Sequence, residues 1–444
     1  MLRSLLQVTA AVGALALVPI ASGAMARVDT QGFKELDTFM EVYAQVKANY
    51  VDKVDDATLM KGAIQGMLAA LDPHSSYADG LEFDNLKIQT DGNYGGLGLT
   101  VTQDNGAVKV IAPQEDTPAA RAGIKSGDYI THIDGKFIVG GSLDDAIEQM
   151  RGKPGTKITL TIVRPGAEKP LTFTMTRETI VQRPVKWDVK DGVGIININT
   201  FTAQTGADTV KAIQSIDQKL GHKPLGYIVD LRENGGGLLS EAIAVSDTFL
   251  THGEIVSQRG REKSDIERYY AESMVPGDIA RGLPVIVLVD SGTASASEIV
   301  AGALQDHHRA LVMGVRTFGK GSVQSILPMG ARAALRLTTA RYYTPSGHSV
   351  QEGGIRPDLI VPQISDPDYK DRPVLREADL RAHLVNPEKM DDAMLEEDQR
   401  TDPRFAMTAD QLKKQGIDDF QLHYALQTIA RLGSKSPQVA TRSK

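Results

Sequence analysis

The sequence predicts a layered α/β domain that carries an inserted β-rich module and has helical segments at both ends. Continuous apolar runs lie at residues 193–196, 227–229 and 285–289, as expected of parallel strands buried on both faces of a sheet. Helical segments follow the second and third runs, so functional groups are expected at the strand ends. Residues 90–180 instead show short alternating apolar runs, which are typical of strands with one buried face.

Composition limits the class of protein. The chain has 444 residues, of which 41% are apolar, so it is long enough for two to four domains. Its 49 Lys and Arg residues against 56 Asp and Glu residues give a net charge of −7, which disfavours a general nucleic-acid-binding role. The chain contains no cysteine, and this excludes disulfides, cysteine-ligated metal sites and a cysteine nucleophile.

Residues 1–26 are typical of a secretory signal. Arg3 supplies a positive start, residues 5–20 are mostly apolar and uncharged, and Ala24-Met25-Ala26 has the small-x-small pattern of a cleavage site. The apolar run is shorter than the roughly 20 residues that a membrane-spanning helix needs. An uncleaved membrane anchor is the alternative, and both interpretations predict that the rest of the chain is exported.

Residues 27–89 form a predicted helical region. Apolar residues recur at helical spacing from Phe33 to Val46, and a second helix is expected from about residue 57 to residue 71, where Asp72-Pro73 ends it. Helices this apolar need a covering surface, which either the body of the chain or a second subunit would supply.

The β-rich module is predicted to span residues 90–180. Asp134-Gly135 lies between two apolar runs as a hairpin turn, and Ser142 with Asp145 caps a short helix. The apolar positions of two alternating strands and of this helix are Ile158, Leu160, Ile162, Leu171, Phe173, Met175, Ala146, Ile147 and Met150.

The α/β domain is predicted over residues 181–365, and residues 366–444 are more polar. Residues 388–404 are rich in acidic residues and are typical of a linker. Apolar residues from Leu422 to Ile429 then predict one amphipathic helix, which Gly433 would end. Such a helix suits a docking or oligomer contact better than a catalytic site.

Ser295 is the first candidate for chemistry. It lies in SGTASASEIVAG, residues 291–302, directly after the third apolar run, and small residues on both sides allow a substrate backbone to approach. The helix that begins there directs its free N–H groups and its positive end at the serine. A nucleophile in this place would have part of an oxyanion hole, whereas an ordinary helix N-cap is the alternative.

Lys320 is the candidate base for that serine. His307 and His308 are near in sequence, but they end the helix that Ser295 begins and therefore lie a helix length away. Lys320 lies between two glycines in RTFGKGSVQ, residues 316–324, and burial would leave it neutral near pH 7. A solvated loop lysine is the alternative.

The glycine turn ENGGGLL, residues 233–239, follows another buried strand. Its glycines would allow a second oxyanion donor or the close approach of an extended peptide. A plain strand-to-helix turn is the alternative interpretation.

A nucleotide-binding interpretation fits the sequence less well. Gly314-x-x-x-x-Gly319-Lys320 resembles a phosphate-binding loop, but Gly321 replaces the Ser or Thr that would ligate Mg²⁺. The acidic strand at 285–290 also precedes this loop instead of following it, and an exported protein would lack ATP.

Taken together, these segments resemble the C-terminal processing peptidases, also called tail-specific proteases. The resemblance implies a crotonase-like layered α/β protease core with an inserted PDZ domain and helical N- and C-terminal segments. Six motifs carry it in the family's order: LDPHSSY (71–77), YGGLGL (94–99), DLRENGGGLL (230–239), SGTASASEIVAGALQD (291–306), TFGKGSVQ (317–324) and TPSGHSVQEGGIRPD (344–358).

The resemblance also implies roles for individual residues. Ser295 matches the nucleophile, Lys320 the general base and Gln324 the residue that orients the lysine, while Asp306 matches an acidic accessory position in the family's motif. Gly235 stands where many relatives carry a proline. The expected oxyanion donors are therefore the N–H groups of Gly236 or Gly237 and of Ala296.

The β-rich module resembles a PDZ domain. The loop Gly95, Gly96, Leu97, Gly98, Leu99 would hold a substrate's C-terminal carboxylate, and the substrate tail would add as a strand against the helix bearing Ile147 and Met150. Arg151 follows this helix as a candidate regulatory relay. A closed module that only supports the core is the alternative.

These interpretations predict an exported serine endopeptidase, in the bacterial periplasm, that captures apolar C-termini and cuts with a Ser/Lys dyad. Attachment to the inner membrane is expected if the signal is not cleaved. No cofactor, metal or nucleic acid is implied, whereas a homo-oligomer and an adaptor protein are expected partners. The alternative function is a PDZ scaffold whose protease domain is silent or latent.

Overall fold

A computed structural model describes residues 30–271, 277–369, 371, 373–386 and 402–434. The predicted signal and most of the predicted acidic linker lie outside these residues. No helix in the described part of the chain is both long and apolar enough to cross a membrane.

Among the described residues, those from 30 to 66 form one compact unit and those from 67 onwards form a second. The first unit contains α1 (Thr30–Asn49) and most of α2 (Asp56–Ala69), as the apolar spacing predicts. Lys47 Nζ ties the helices together, since it lies 2.6 Å from Asp56 Oδ1 and donates to the carbonyl of Val54. The apolar side chain of Leu36 is exposed, so the surface that covers it stays a prediction.

Residues 76–91 are not purely helical, contrary to the helical region predicted for residues 27–89. They form strand β1 (Ser76–Asp79) and helix α3 (Gly80–Asp91). Strand β1 lies antiparallel to residues 333–336, more than 250 residues further along the chain. Local sequence does not encode a pairing of this range.

The β-rich module has its own sheet and core. It contains a six-stranded antiparallel sheet and, near the two ends of the module in sequence, a separate antiparallel pair formed by residues 93–96 and 178–181. Val110, Ile130 and Leu160 are fully buried in its centre. The elements are β2 (Asn93–Gly96), β3 (Leu99–Asp104), β4 (Ala107–Pro113), α4 (Pro118–Ala122), β5 (Tyr129–Ile133), β6 (Lys136–Phe137), α5 (Leu143–Met150), β7 (Lys157–Val163), β8 (Leu171–Thr176) and β9 (Glu178–Val181).

Two local predictions for this module are confirmed. Asp134 and Gly135 have φ values of 48° and 79°, which suit a tight hairpin between β5 and β6. Ser142 Oγ accepts the N–H of Asp145 at 3.0 Å and so caps α5.

Two sheets and three helices make up the described residues of the α/β domain. A mostly parallel sheet has the order β10-β11-β12-β15-β16-β19. An antiparallel sheet has the order β1-β18-β13-β14, and β17 also pairs with β18. The elements are β10 (Val185–Lys190), β11 (Val193–Ile198), α6 (Thr205–Leu220), β12 (Tyr227–Asp230), α7 (Leu239–Asp247), β13 (Glu254–Arg259), β14 (Ile266–Tyr270), β15 (Val285–Val289), α8 (Ala296–Asp306), β16 (Leu311–Gly314), β17 (Ser322–Pro328), β18 (Ala333–Tyr343) and β19 (Leu359–Ile360).

The parallel sheet is buried on both faces, as its continuous apolar runs predict. Helices α6 to α8 pack on one face, so a helix also follows the first apolar run, where none was predicted. The other face is covered by α9 (Ala409–Lys414) and α10 (Phe420–Ser434). The predicted C-terminal helix therefore docks on its own chain, and it continues through Gly433.

Candidate active site

Three loops meet at the carboxyl edge of neighbouring parallel strands. The glycine turn follows β12, the Ser295 segment follows β15, and the Lys320 segment follows β16. Because parallel strands end at the same edge, these loops are neighbours in the fold although they are distant in sequence. Phe318 N–H donates to the carbonyl of Thr293 at 3.0 Å and joins the last two loops directly.

Ser295 is held in an uncommon backbone conformation at the start of α8. Its φ is 56° and its ψ is −116°, outside the common regions for a residue with a side chain. The residue is only 8% exposed, so the surrounding protein encloses most of it. Such strain persists only where surrounding contacts fix it, and it is frequent at functional sites.

Glu298 supplies those contacts, and the sequence analysis did not single it out. Its Oε2 accepts the backbone N–H groups of Ser295 at 2.7 Å and Lys320 at 2.9 Å. Its Oε1 accepts the Thr317 hydroxyl at 2.5 Å and the Gly319 N–H at 2.8 Å. One buried carboxylate thus joins the two candidate catalytic residues, and only the Ser-x-x-Glu capping pattern hinted at it.

Two opposing effects act on the Glu298 carboxyl. Complete burial raises its pKa and outweighs the hydrogen bonds from Thr317 and from the backbone, which lower it, so that the pKa is about 7. Four donors around two oxygens fit the acceptor-only ionised form, so the carboxylate is the form that matches this geometry.

Lys320 is partly buried and is hydrogen-bonded to Gln324. Its Nζ donates to Gln324 Oε1 at 2.8 Å, and in the part of the chain described no hydrogen bond joins it to Ser295 Oγ. Burial, together with the nearby charge of Arg336, lowers the pKa of Lys320 to about 8. A lysine with this pKa is partly neutral near pH 7 and therefore has the property that a base needs.

Asn234 fastens the glycine turn to the serine loop, a role that the sequence analysis missed. Its Nδ2 donates to the carbonyl of Ile198, and its own carbonyl accepts from Ala294 N–H and Ser297 Oγ. Its Oδ1 accepts the N–H of Gly236 at 2.9 Å. Because Asn234 is fully buried, it orders both loops from within.

The glycine turn approaches Ser295 as closely as a backbone can. Gly236 has a φ of 99°, and a Cβ at this position would lie 2.8 Å from Ser295 Cβ and 2.9 Å from Ala296 N. Since the Gly236 N–H already donates to Asn234, the expected oxyanion hole rests on Gly237 and Ala296.

Asp306 lies away from these groups. It ends α8, eleven residues (306 − 295) and about 16 Å of helix from Ser295. Its Oδ2 accepts the N–H of Ser346, so its contact in this structure is with a neighbouring turn. His307 also lies at this end, where its Nε2 contacts the carbonyl of Glu254.

The β-rich module contains a separate cavity of about 160 Å³. Its lining brings together residues predicted for peptide binding, with Gly95 as an exception. A Cβ at Gly95 would lie 2.1 Å from the carbonyl oxygen of Gly152, so Gly95 packs against backbone instead of facing the cavity. The predicted residues that line the cavity are Gly96, Leu97, Gly98, Leu99, Ile147, Met150 and Arg151.

Arg151 connects that cavity to the neighbouring helix. Its guanidinium donates to Asn85 Oδ1 of α3 at 2.7 Å and lies 5.5 Å from the centre of the Tyr94 ring. Arg151 therefore both lines the cavity and contacts α3.

Comparison with known proteins assigns families to these parts. Residues 192–361 match the family model described as Peptidase family S41, and residues 95–175 match a PDZ domain. Residues 19–80 match the N-terminal domain of the activating protease CtpB.

Curated relatives cover most of the chain. It is 48% identical over 361 residues to a carboxy-terminal-processing protease of Bartonella bacilliformis, covering 81% of this chain and 82% of that one. It is 34% identical over 351 residues to the carboxy-terminal processing protease CtpB of Bacillus subtilis, covering 78% and 71%. Among solved structures, a photosystem II D1 C-terminal processing protease aligns with a TM-score of 0.44 at 29% identity, covering 75% of this chain and 87% of that one.

Proposed function

The chain belongs to the carboxy-terminal processing proteases of peptidase family S41 and is a serine-type peptidase with a PDZ domain; from this premise we propose that it cuts protein chains with a Ser295/Lys320 dyad. The observation that carries the proposal is the shared acceptor, Glu298 Oε2, which holds the backbones of both residues. The lowered pKa of Lys320 supports its part as base.

The chemistry follows from these positions. Neutral Lys320 takes the hydroxyl proton as Ser295 Oγ attacks a peptide carbonyl, and the N–H groups of Gly237 and Ala296 stabilise the oxyanion. The ammonium returns the proton to the leaving amine, and an acyl-enzyme remains. Lys320 then takes a proton from water, and the hydroxide attacks the acyl carbonyl. The new C-terminus is released as the lysine returns that proton to Ser295 Oγ.

Space for the substrate lies next to Ser295. An open cleft of about 400 Å³ is lined by Ala294, Gly235 and Phe318. Ala294 directly precedes Ser295, Gly235 lies in the glycine turn, and Phe318 lies in the Lys320 segment. An extended chain in this cleft would present its backbone to Ser295.

The PDZ domain would select the substrate. We propose that its cavity holds an apolar C-terminal side chain against Ile147 and Met150, while the loop at 96–99 binds the terminal carboxylate. Arg151 would report this occupancy to α3 through Asn85. The proposed limits of the PDZ domain and the protease core are residues 90–180 and 181–365.

Export is part of the same proposal. Residues 1–26 would direct the chain out of the cytoplasm, to the bacterial periplasm, either cleaved or as an inner-membrane anchor. The exposed apolar residues of α1 suit a homo-oligomer, and an adaptor protein is a further proposed partner.

The hydrogen bond from Lys320 to Gln324 favours a second candidate function. In it, the protein is a PDZ scaffold whose dyad stays unassembled. A chain that captures tails and never cuts them, under any activating partner, would support the scaffold.

The test is cleavage of an unstructured protein with an apolar C-terminus, compared with Ser295→Ala and Lys320→Ala. We expect only the parent to cut, and amidation of the substrate's C-terminal carboxylate to slow it. Equal cleavage by Ser295→Ala would refute the dyad, whereas equal cleavage of the amidated substrate would refute tail capture.

A further inference from the structure

The segment Asp72–Ser75 belongs to a motif that the proposed dyad does not use. Asp72 Oδ1 accepts the N–H groups of His74 and Ser75, and its Oδ2 accepts the Ser75 hydroxyl, each at 2.8 Å. Asp72 and Ser75 are buried, and these bonds hold the pKa of Asp72 below its ordinary value although burial opposes this. Strand β1 follows directly and pairs with β18. Strand β18 also pairs with β17, which contains Gln324.

One chain of hydrogen bonds runs from this turn to Lys320. The hydroxyls of Ser75 and Thr338 lie 3.4 Å apart, and Ser75 Oγ also accepts the N–H of Thr338 at 3.1 Å. Gln324 Nε2 donates to Thr338 Oγ1 at 3.2 Å and to Ser322 Oγ at 2.9 Å. With its amide N–H groups directed at two hydroxyls, Gln324 must turn Oε1 towards Lys320 Nζ.

A second chain reaches the backbone beside the lysine. His74 Nε2 lies 2.9 Å from both carboxyl oxygens of Glu377, which is fully buried. Glu377 Oε1 accepts Gln351 Nε2 at 3.2 Å, and Gln351 Oε1 accepts the N–H of Gly321 at 3.1 Å. Gln324, which binds the lysine amine, and Gly321, which follows the lysine in the chain, are therefore both connected to the Asp72–Ser75 turn.

We propose that the Asp72–Ser75 turn positions the catalytic lysine, acting on its amine through Thr338 and Gln324 and on its backbone through Glu377 and Gln351. This inference rests on the proposed dyad and adds positioning residues to it. A lysine has four rotatable side-chain bonds, so holding its amine in one place costs conformational entropy unless neighbouring groups fix it. A neutral amine that donates one N–H to a fixed Gln324 Oε1 has fewer directions left for its lone pair.

The charged groups around Lys320 fit a controlled base. Arg336 disfavours the ammonium, whereas Glu377, Glu298 and Asp72 favour it. Asp72 belongs to the turn and Glu377 contacts it through His74. The turn therefore affects the charge of the Lys320 amine as well as its position.

Thr338 offers a matched set of variants. Thr338→Val removes the hydroxyl but keeps the shape, and Thr338→Ser restores the hydroxyl. Thr339→Val is the control, because Thr339 is exposed one residue further on the same strand and its hydroxyl pairs with Ser325 instead. We expect Thr338→Val to lower kcat about tenfold with KM within twofold, since misplaced reacting groups cost rate more than binding. Thr338→Ser should restore most of the rate.

Ser295→Ala and Lys320→Ala, measured on the same substrate, separate the two proposals. If they are inert while Thr338→Val is as fast as Thr339→Val, the positioning proposal alone is refuted. If they cut like the parent, the dyad itself is refuted.

A second measurement needs no turnover. The pKa of Lys320 can be followed by NMR of the protein with isotope-labelled lysine, and Lys320→Ala assigns the signal. Loss of a fixed acceptor should lower this pKa by about half a unit in Thr338→Val, and Thr338→Ser should reverse the change. An unchanged pKa, or the same shift in Thr339→Val, would overturn the proposal.

Discussion

The pH dependence of cleavage tests the proposed base most directly. Burial, with the charge of Arg336, lowers the pKa of Lys320 from 10.5 to about 8. At pH 7 about a tenth of such lysines are neutral, against about one in 3,000 for an ordinary lysine. The buried position thus provides about 300 times more base at pH 7. Because the base must be neutral, kcat/KM should rise with pH until it levels off above pH 8.

Glu298 should steepen this dependence. Burial raises its pKa to about 7, and its ionised form is the one that accepts four donors. If both deprotonated groups are required, the logarithm of kcat/KM should rise with slope 1 between pH 7 and 8 and approach slope 2 below pH 7. Between pH 9 and 6 the product of the two fractions falls about 1,000-fold.

The assay is the initial rate of cleavage of an unstructured, histidine-free substrate at concentrations well below KM. Circular dichroism at each pH, and recovery of the rate after return to pH 9, would exclude acid unfolding. Glu298→Gln has no ionised form and loses one acceptor oxygen, so it should lose most of the activity at every pH, and its residual activity should rise with slope 1 below pH 8. A profile that is flat from pH 6 to 9, or a midpoint above pH 10, would refute the reasoning.

Three further predictions test the surroundings of the site. Arg336→Gln removes the charge that disfavours the ammonium, so the midpoint of the pH profile should move up by about half a unit, and no movement would contradict the assigned electrostatics. Gly236→Ala should lower kcat/KM at least about 100-fold because its Cβ meets Ser295, whereas Gly235→Ala, whose Cβ meets nothing within 4 Å, should stay within about threefold. Arg232→Met leaves Asp230 buried without its partner and should cost about 3 kcal/mol of unfolding free energy, measured in urea by the fluorescence of Trp187. The exposed pair of Arg183 and Asp116 is the control for it, since Arg183→Met should change stability by under about 0.5 kcal/mol; equal losses in the two variants would contradict the burial argument.

Features with local causes were predictable from the sequence. The run at 285–289 is a buried strand because both faces of the parallel sheet are covered, and Asp134-Gly135 forms a hairpin because both residues tolerate positive φ. Lys320 stood out because glycines and apolar runs flank it, which indicates burial. In each case the physical cause lies within a few residues.

Features that depend on distant contacts were not predictable. Strand β1 was hidden in a region predicted to be helical, because its partner β18 lies more than 250 residues away. His74 and Glu377 are 303 residues apart, and their contact has no periodic pattern to indicate it. Glu298 shows both cases, since the Ser-x-x-Glu spacing predicts its bond to Ser295 but not the three donors from residues 317–320.

The position of Glu298 suggests why one carboxylate serves both catalytic residues. The backbone of Ser295 is in a sparsely populated region, which costs about 1–3 kcal/mol, and burying the Lys320 amine is also unfavourable for its charged form. Separate supports would let either residue relax alone. Because a single acceptor, Oε2, binds the N–H groups of both residues, relaxation of one loop would also weaken the hold on the other. The strained nucleophile and the neutral base are therefore expected to be lost together, and an intermediate with only one of them in place should be rare.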